Sequence, residues 1–263
     1  MIGILAARKE ELAGVLTGVP VTPIEAPGEI VAFRGTIPES GGKETVVVLS
    51  GTGESRARAA STWLVRELNI SALVITGFAG AADPTLTTGN LVLASDIYRL
   101  SGTALDWSVG ELGNGLKPDP ELLTLSRSAV EVAGIDFLQG PIVSLEMVAK
   151  TPGIKHWIGK TYGATATDLD SFNIAEVATQ AGIPFVCTRA ILDPTDVELI
   201  DLVSEVDGAP SGGRMLTSAR YTLRRPLDIP GLARLRKSTK IASESLSRFV
   251  NRFAYHISEY ASY

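Results

Sequence analysis

Cysteine and histidine are nearly missing from this chain of 263 residues, which has one cysteine, Cys187, and two histidines, His156 and His256. A single thiol excludes an internal disulfide and suits a reducing compartment. One cysteine and two histidines cannot assemble a usual zinc site. Asp and Glu could hold a hard cation, but no EF-hand spacing occurs. Long apolar runs are also lacking: no stretch approaches the roughly 18 to 20 residues that span a bilayer. The start, Met1-Ile2-Gly3-Ile4-Leu5-Ala6-Ala7, carries no basic leader and runs directly into Arg8-Lys9-Glu10-Glu11. No signal peptide is expected, and the cytoplasm is the expected location. Positive charge is scarce, with a net charge of −5, which argues against general nucleic-acid binding. The exception is Arg214 to Arg252, with ten basic and two acidic residues.

What the chain does have is a run of short Val-, Ile- and Leu-rich segments, each bounded by glycine or a polar turn. They are 2–7, 45–50, 72–76, 91–95, 141–145 and 184–191. Most are apolar almost throughout rather than alternating, as expected of strands buried on both faces. Between some of them the spacing predicts helices, over 55–68 and over 171–180, the second with Ser171 as N-cap and a stop at Gly182. Strand and helix in alternation predict one α/β domain around a twisted, largely parallel sheet. After a loop at Ser211-Gly212-Gly213, Asp228-Ile229-Pro230 reads as a helix start. Leu232, Leu235, Ala242, Leu246, Phe249, Phe253 and Ile257 then keep a 3–4 spacing, which predicts a long basic amphipathic helix within a C-terminal extension over 211–263. Its basic face is read first as solvated, and second as a peripheral membrane contact.

In open α/β sheets, ligands bind beyond the carboxyl ends of the strands. The turns expected there are Arg8-Lys9-Glu10-Glu11, Gly77-Phe78-Ala79-Gly80, Asp168-Leu169-Asp170 and Leu192-Asp193-Pro194. Three carry carboxylates and the fourth is glycine-rich. Each also has an ordinary structural explanation. Glu10 and Glu11 could complement a helix N-terminus, and Asp193 before Pro194 could be an N-cap. Asp168 and Asp170 could be solvated strand ends, and Gly77 and Gly80 could simply permit a turn. Their convergence on one edge is what singles them out. Gly51-Thr52-Gly53 lacks the third glycine of a dinucleotide-binding turn, and no Gly-x-Ser-x-Gly elbow occurs. Neither a dehydrogenase nor a serine hydrolase is expected.

At these same turns, in order over roughly residues 1 to 195, the chain resembles the purine nucleoside phosphorylase and nucleosidase superfamily. Its methylthioadenosine/S-adenosylhomocysteine nucleosidase branch is the main likeness. The segments that carry it are Ile2 to Glu11, Ser50-Gly51-Thr52-Gly53, Thr76 to Pro84, and Asp168-Leu169-Asp170 through Arg189-Ala190-Ile191-Leu192-Asp193. The resemblance implies a single nucleoside-phosphorylase-like domain, a purine nucleoside as ligand, no cofactor or metal, and a homodimer. It implies that Glu11 activates the attacking water and Asp193 serves N7 of the departing purine. Asp170 would hold the ribose 2′-hydroxyl, with Leu169 beside it, and Arg189 would lie near the nucleophile. Val148 and Ala149 would flank the base, and Gly77 and Phe78 would line the pocket. The reaction implied is hydrolysis of the N-glycosidic bond of a 5′-substituted adenosine.

The departures are specific. Asp168-Leu169-Asp170 replaces Glu-Met-Glu, Phe78 replaces a small hydroxyl residue, and Leu192 replaces serine. The Gly-Asp-Pro-x-Arg phosphate turn of the phosphorylases is missing, which favours water as nucleophile. Val148-Ala149-Lys150-Thr151-Pro152, Leu192 to Asp196 and Arg225 to Pro230 resemble instead the hopanoid-associated branch, which releases adenine from adenosylhopane. Asp170 and Phe78 also leave open a non-catalytic nucleoside-binding protein.

Overall fold

The computed structural model describes residues 1–18, 20–36, 42–102, 110–199 and 229–260. The loop expected at 211–213, together with the start of the segment Arg225 to Pro230, lies outside the described residues. Apolar β-branched runs form the buried strands, as expected of side chains that pack well on a pleated surface. These are β1 (Ile2–Ala6), β4 (Glu44–Leu49), β5 (Ala72–Ala81), β6 (Leu91–Ser101), β8 (Phe137–Ser144) and β10 (Phe185–Asp193). Four more strands complete the set: β2 (Val21–Ile24), β3 (Val31–Thr36), β7 (Glu111–Leu112) and β9 (Ala166–Asp168). The first two are half-exposed and carry Pro23 and Gly35, so they lack the dense apolar run that marks the others.

Parallel pairing runs through β4, β1, β5 and β10, and again through β6, β8 and β9. The two runs are joined by antiparallel contacts, β10 with β6 and β5 with β9, and β2 and β3 add an antiparallel edge. The sheet is therefore mixed where a largely parallel one was expected. Strands β5, β10, β6, β8 and β9 close on one another, while β1, β4, β3 and β2 extend from β5 as an open flange. One edge of β5 changes partner on the way: Ala72–Ile75 pair with β1, and Gly80 and Ala81 pair with β9. Residues 76–79 on that edge are left between the two ladders, and the break positions the site.

Helices cover both faces. On one side, the short α1 (Ala13–Gly18), α3 (Pro120–Ala133) and α6 (Ile229–Tyr260) pack over Ile4, Val74 and Val186. On the other, α2 (Glu54–Glu67) and α5 (Ser171–Gln180) pack over Leu5, Ile75 and Cys187. A third cluster holds α4 (Pro152–Tyr162) against Val143 and Leu145. Caps explain where α3 and α4 begin and end. Asp119 accepts from the N–H groups of Glu121 and Leu122 at 3.0 and 2.9 Å, Thr151 accepts from Ile154, and proline follows each cap. Gly134 and Gly163 end the two helices in the left-handed conformation. The N-cap of α5 is Asp170, one residue before the expected Ser171.

Helix α6 begins where the sequence predicts and buries Ala242, Leu246, Phe249, Phe253 and Ile257 in the main core. Each large apolar side chain buried this way contributes about 1.5–3 kcal/mol. Arg234, Arg236, Lys237 and Lys240 lie exposed on its outer side. It is thus a structural layer of the domain as well as its closing segment. No helix among the described residues is long and apolar enough to cross a membrane.

Candidate active site

The break in the ladder of β5 leaves the Phe78 N–H without a strand partner, and Glu11 takes it. Glu11 sits on a 3-10 turn (Lys9–Leu12) just after β1. Its Oε1 accepts from Phe78 N at 3.0 Å, and its Oε2 accepts from Ala7 N at 2.8 Å and Arg8 N at 2.9 Å. The turn is braced from α6, where the Ser243 hydroxyl donates to Glu10 O and Ser247 Oγ accepts from Gly14 N at 3.2 Å. Burial pushes the Glu11 pKa above the ordinary glutamate value, against the opposing pull of Arg189, Arg8 and the backbone donors. Glu10, its neighbour, is exposed.

Asp170 caps α5 by position but makes no side-chain bond to that helix. Its Oδ1 accepts instead from Gly53 N at 2.7 Å, on the turn between β4 and α2. Burial, helped by the charges of Asp168 and Glu11 and opposed by Arg189, pushes its pKa up to about 7. Asp168 and Asp170 are 8% and 5% exposed, so the solvated reading of these two does not hold.

Arg189 lies behind this group, 1% exposed. Its Nε is 2.8 Å from Asp168 Oδ2 and donates to Ser171 Oγ at 2.9 Å, and Nη1 donates to Thr76 O at 3.2 Å. Asp168 is further held by the Ser144 hydroxyl at 2.6 Å. Nη2 has no hydrogen-bond partner among the described residues. Gly77 explains how the guanidinium fits: φ is +154° there, and a β-carbon would stand 2.1 Å from Nη1. Gly77 therefore belongs to a strand, not to the expected turn, and its lack of a side chain admits Arg189. Gly77 and Arg189 lie just behind the cavity wall described below, and Arg189 Nη1 and Glu11 Oε1 both stand against the Cα of Gly77.

Asp193 is the last residue of β10 and is 4% exposed. It caps no helix among the described residues, so the N-cap reading is replaced by a buried carboxylate paired with Lys155 Nζ. Burial pushes its pKa up to about 6, against the pull of Lys155. Gly80 stands beside it: a β-carbon there would be 3.2 Å from Asp193 Oδ2.

Glu11, Asp170 and Asp193 open onto one cavity, about 640 Å³ of free space when the open solvent at its mouth is counted. Phe78, Val148, Ala149, Leu169 and Leu192 supply its apolar wall. Arg8, Thr52, Thr167 and Leu199 also line it and were not singled out in the sequence. Lys155 was missed as well. The capping pair Thr151-Pro152 marks its helix in the sequence, but nothing local shows that this lysine turns inward.

Residues 1–208 match the profile of the phosphorylase superfamily. The 5′-methylthioadenosine/S-adenosylhomocysteine nucleosidase of Staphylococcus carnosus is 27% identical over 201 residues, 73% of this chain and 86% of that one. The nucleosidase of the same name from Maridesulfovibrio salexigens is 28% identical over 199 residues, 73% and 85% of the two chains. In fold, the chain is similar to the Neisseria meningitidis 5′-methylthioadenosine/S-adenosylhomocysteine nucleosidase bound to methylthio-immucillin-A. The TM-score is 0.73 at 21% identity, covering 97% of this chain and 98% of that one. It is also similar to the futalosine hydrolase of Helicobacter pylori, with a TM-score of 0.69 at 20% identity over 95% and 96% of the two chains.

Proposed function

The chain belongs to the phosphorylase superfamily, and from that premise we propose that it is a nucleosidase, using water to release adenine from a 5′-substituted adenosine. The observation that carries this is the pairing of two buried carboxyls on one cavity. Glu11 is anchored at Phe78 on one edge of β5, and Asp193 stands beside Gly80, two residues further along, on the edge that pairs with β10. Both face the same cavity, which suits a base at the sugar carbon and an acid at the purine.

Departure of adenine leaves positive charge on the sugar and needs a proton on the base. Burial raises the proton affinity of Asp193, so this carboxyl carries a proton to N7 at a pH where an ordinary aspartate would not. Glu11, oriented by three backbone donors and with its basicity raised by burial, takes a proton from the attacking water. Glu11, Asp168 and Asp170 surround the guanidinium of Arg189, with Arg8 also acting on Glu11. Carboxylates ionised at this end of the site favour a cationic transition state over the neutral ground state. Asp170 is placed to hold a ribose hydroxyl.

The test is a chromatographic assay for free adenine from adenosine thioethers and adenosyl lipids, with and without phosphate. Release of adenine and a free ribose derivative, at a rate phosphate does not raise, is expected. A ribose 1-phosphate product would make it a phosphorylase, and tight binding without base release would make it a nucleoside-binding protein. The thioethers and the lipids separate a soluble substrate from the adenosylhopane type. We also infer a homodimer, because Met147 is exposed beside the pocket wall at Val148 and offers an apolar group to a second copy. Sedimentation as a monomer at micromolar concentration would overturn it.

A further inference from the structure

Lys155 is wholly buried in α4, and the chemistry above assigns it no task. Its Nζ donates to Pro194 O at 3.0 Å and to Val197 O at 2.7 Å, and it is ion-paired with Asp193 Oδ2. Two donors of the ammonium go to carbonyls, and the contact with Asp193 Oδ2 is an ion pair by distance rather than a hydrogen bond. Burying such a group is costly unless it is fully paired, so its partners explain why it can sit there. All three belong to one stretch, the acid and the turn that follows it. The start of the same helix holds that stretch again, since Lys150 O accepts from Leu199 N at 3.0 Å, and Leu199 lines the main cavity.

We propose that Lys155 is the positioning residue of the acid: it grips Oδ2 of Asp193 and the carbonyls of Pro194 and Val197 together, leaving Oδ1 to meet the purine and holding the Leu199 wall in place. This rests on the nucleosidase reading. It also gives Lys155 an electrostatic part. From β5 and β9, the uncharged Gly80 and Thr167 stand on the acid's side of the sheet, and Lys155 is the one charge among the described residues that acts on its pKa. Arg234 of α6 and Glu198 line a smaller cavity that Asp193 also borders. Lys155 is the charge in direct contact with it. Removing that charge lets Asp193 keep its proton to higher pH, and a reaction that needs protonated Asp193 declines as pH rises through the pKa of that group.

Two measurements on the full chain test this. The first is a ¹³C NMR titration of the Asp193 carboxyl, assigned by its loss in Asp193→Asn. The second is the pH profile of kcat/KM for adenine release. In Lys155→Met both the NMR midpoint and the falling basic limb should move up by about one pH unit or more. Lys155→Arg should leave both near wild type while lowering kcat through its altered shape. If Lys155→Met does not fold, Lys155→Gln, which keeps donors for the two carbonyls and drops the charge, takes its place. An unmoved midpoint in a folded, charge-free variant overturns the proposal and leaves Lys155 a structural brace. If wild-type protein releases no adenine from any substrate, the nucleosidase reading fails, and the NMR titration alone decides the coupling of Lys155 to Asp193.

Discussion

The guanidinium of Arg189 lies against the bare Cα of Gly77, so close that a β-carbon would come within 2.1 Å of Nη1 and 3.1 Å of Glu11 Oε1. The absence of one side chain thus lets a buried cation stand between Asp168 and the base of the site. Gly77→Ala should displace Arg189 from Asp168, and breaking a buried pair of this kind costs about 3–5 kcal/mol. Thermal unfolding should show a large loss of stability together with loss of activity. A Gly77→Ala protein with wild-type melting and turnover would show that Arg189 has room to move.

Asp193→Asn should abolish adenine release while leaving nucleoside binding measurable by calorimetry. An amide can still hydrogen-bond N7 but cannot deliver the proton. The substitution also leaves Lys155 without its carboxylate, so the variant should melt below wild type. Near wild-type turnover would remove Asp193 from the chemistry.

Glu11→Gln and Glu10→Gln form a matched pair. Glu11 is buried on three backbone donors, and Glu10 is exposed with only its carbonyl engaged by Ser243. The first change should reduce kcat by about a hundredfold or more, the typical value of a general base. The second should be nearly silent in the same steady-state assay. The reverse pattern would mean that the base had been placed one residue off.

Asp170→Asn should stabilise the fold at neutral pH while weakening catalysis. The folded-state pKa of Asp170 is raised from 3.8 to about 7, so the folded protein binds a proton more tightly than the unfolded chain does. The stability this gives is present below about pH 4 and is lost as pH rises through about 7. At one unit per ~1.4 kcal/mol, ionising this buried carboxyl costs on the order of a few kcal/mol, which the amide avoids. Asparagine can still accept the Gly53 N–H. The melting temperatures of variant and wild type should match near pH 4, draw apart as pH rises from about 4 to about 7, and stay apart above that, the variant melting several degrees higher. A gap that stays constant with pH would show that Asp170 does not titrate in this window.

The sequence by itself determined the layers of this protein, because each is set by short-range physics. Apolar β-branched runs made β1, β4, β5 and β10 buried strands, and 3–4 spacing made α6 a packed helix. Glu11, Asp170 and Asp193 were legible as a group because each falls at a strand end or just beyond it, where an α/β sheet gathers its ligand. The capping pairs Asp119-Pro120 and Thr151-Pro152, with Gly134 and Gly163 as stops, are equally local signals, but the two helices they bound were not among those expected from the sequence. Only the tertiary structure decided which partner each carboxylate would meet. Glu11 reaches a backbone N–H 67 residues away because one edge of β5 changes from β1 to β9 between Ile75 and Gly80. Arg189 withdraws behind the cavity because Gly77 leaves it space and Asp168 leaves it a charge. Lys155 turns inward because two carbonyls and Asp193, nearly forty residues on, converge on its ammonium. A lysine on a helix is ordinarily solvated; what buries this one is a set of partners that exists only after the chain has closed around it.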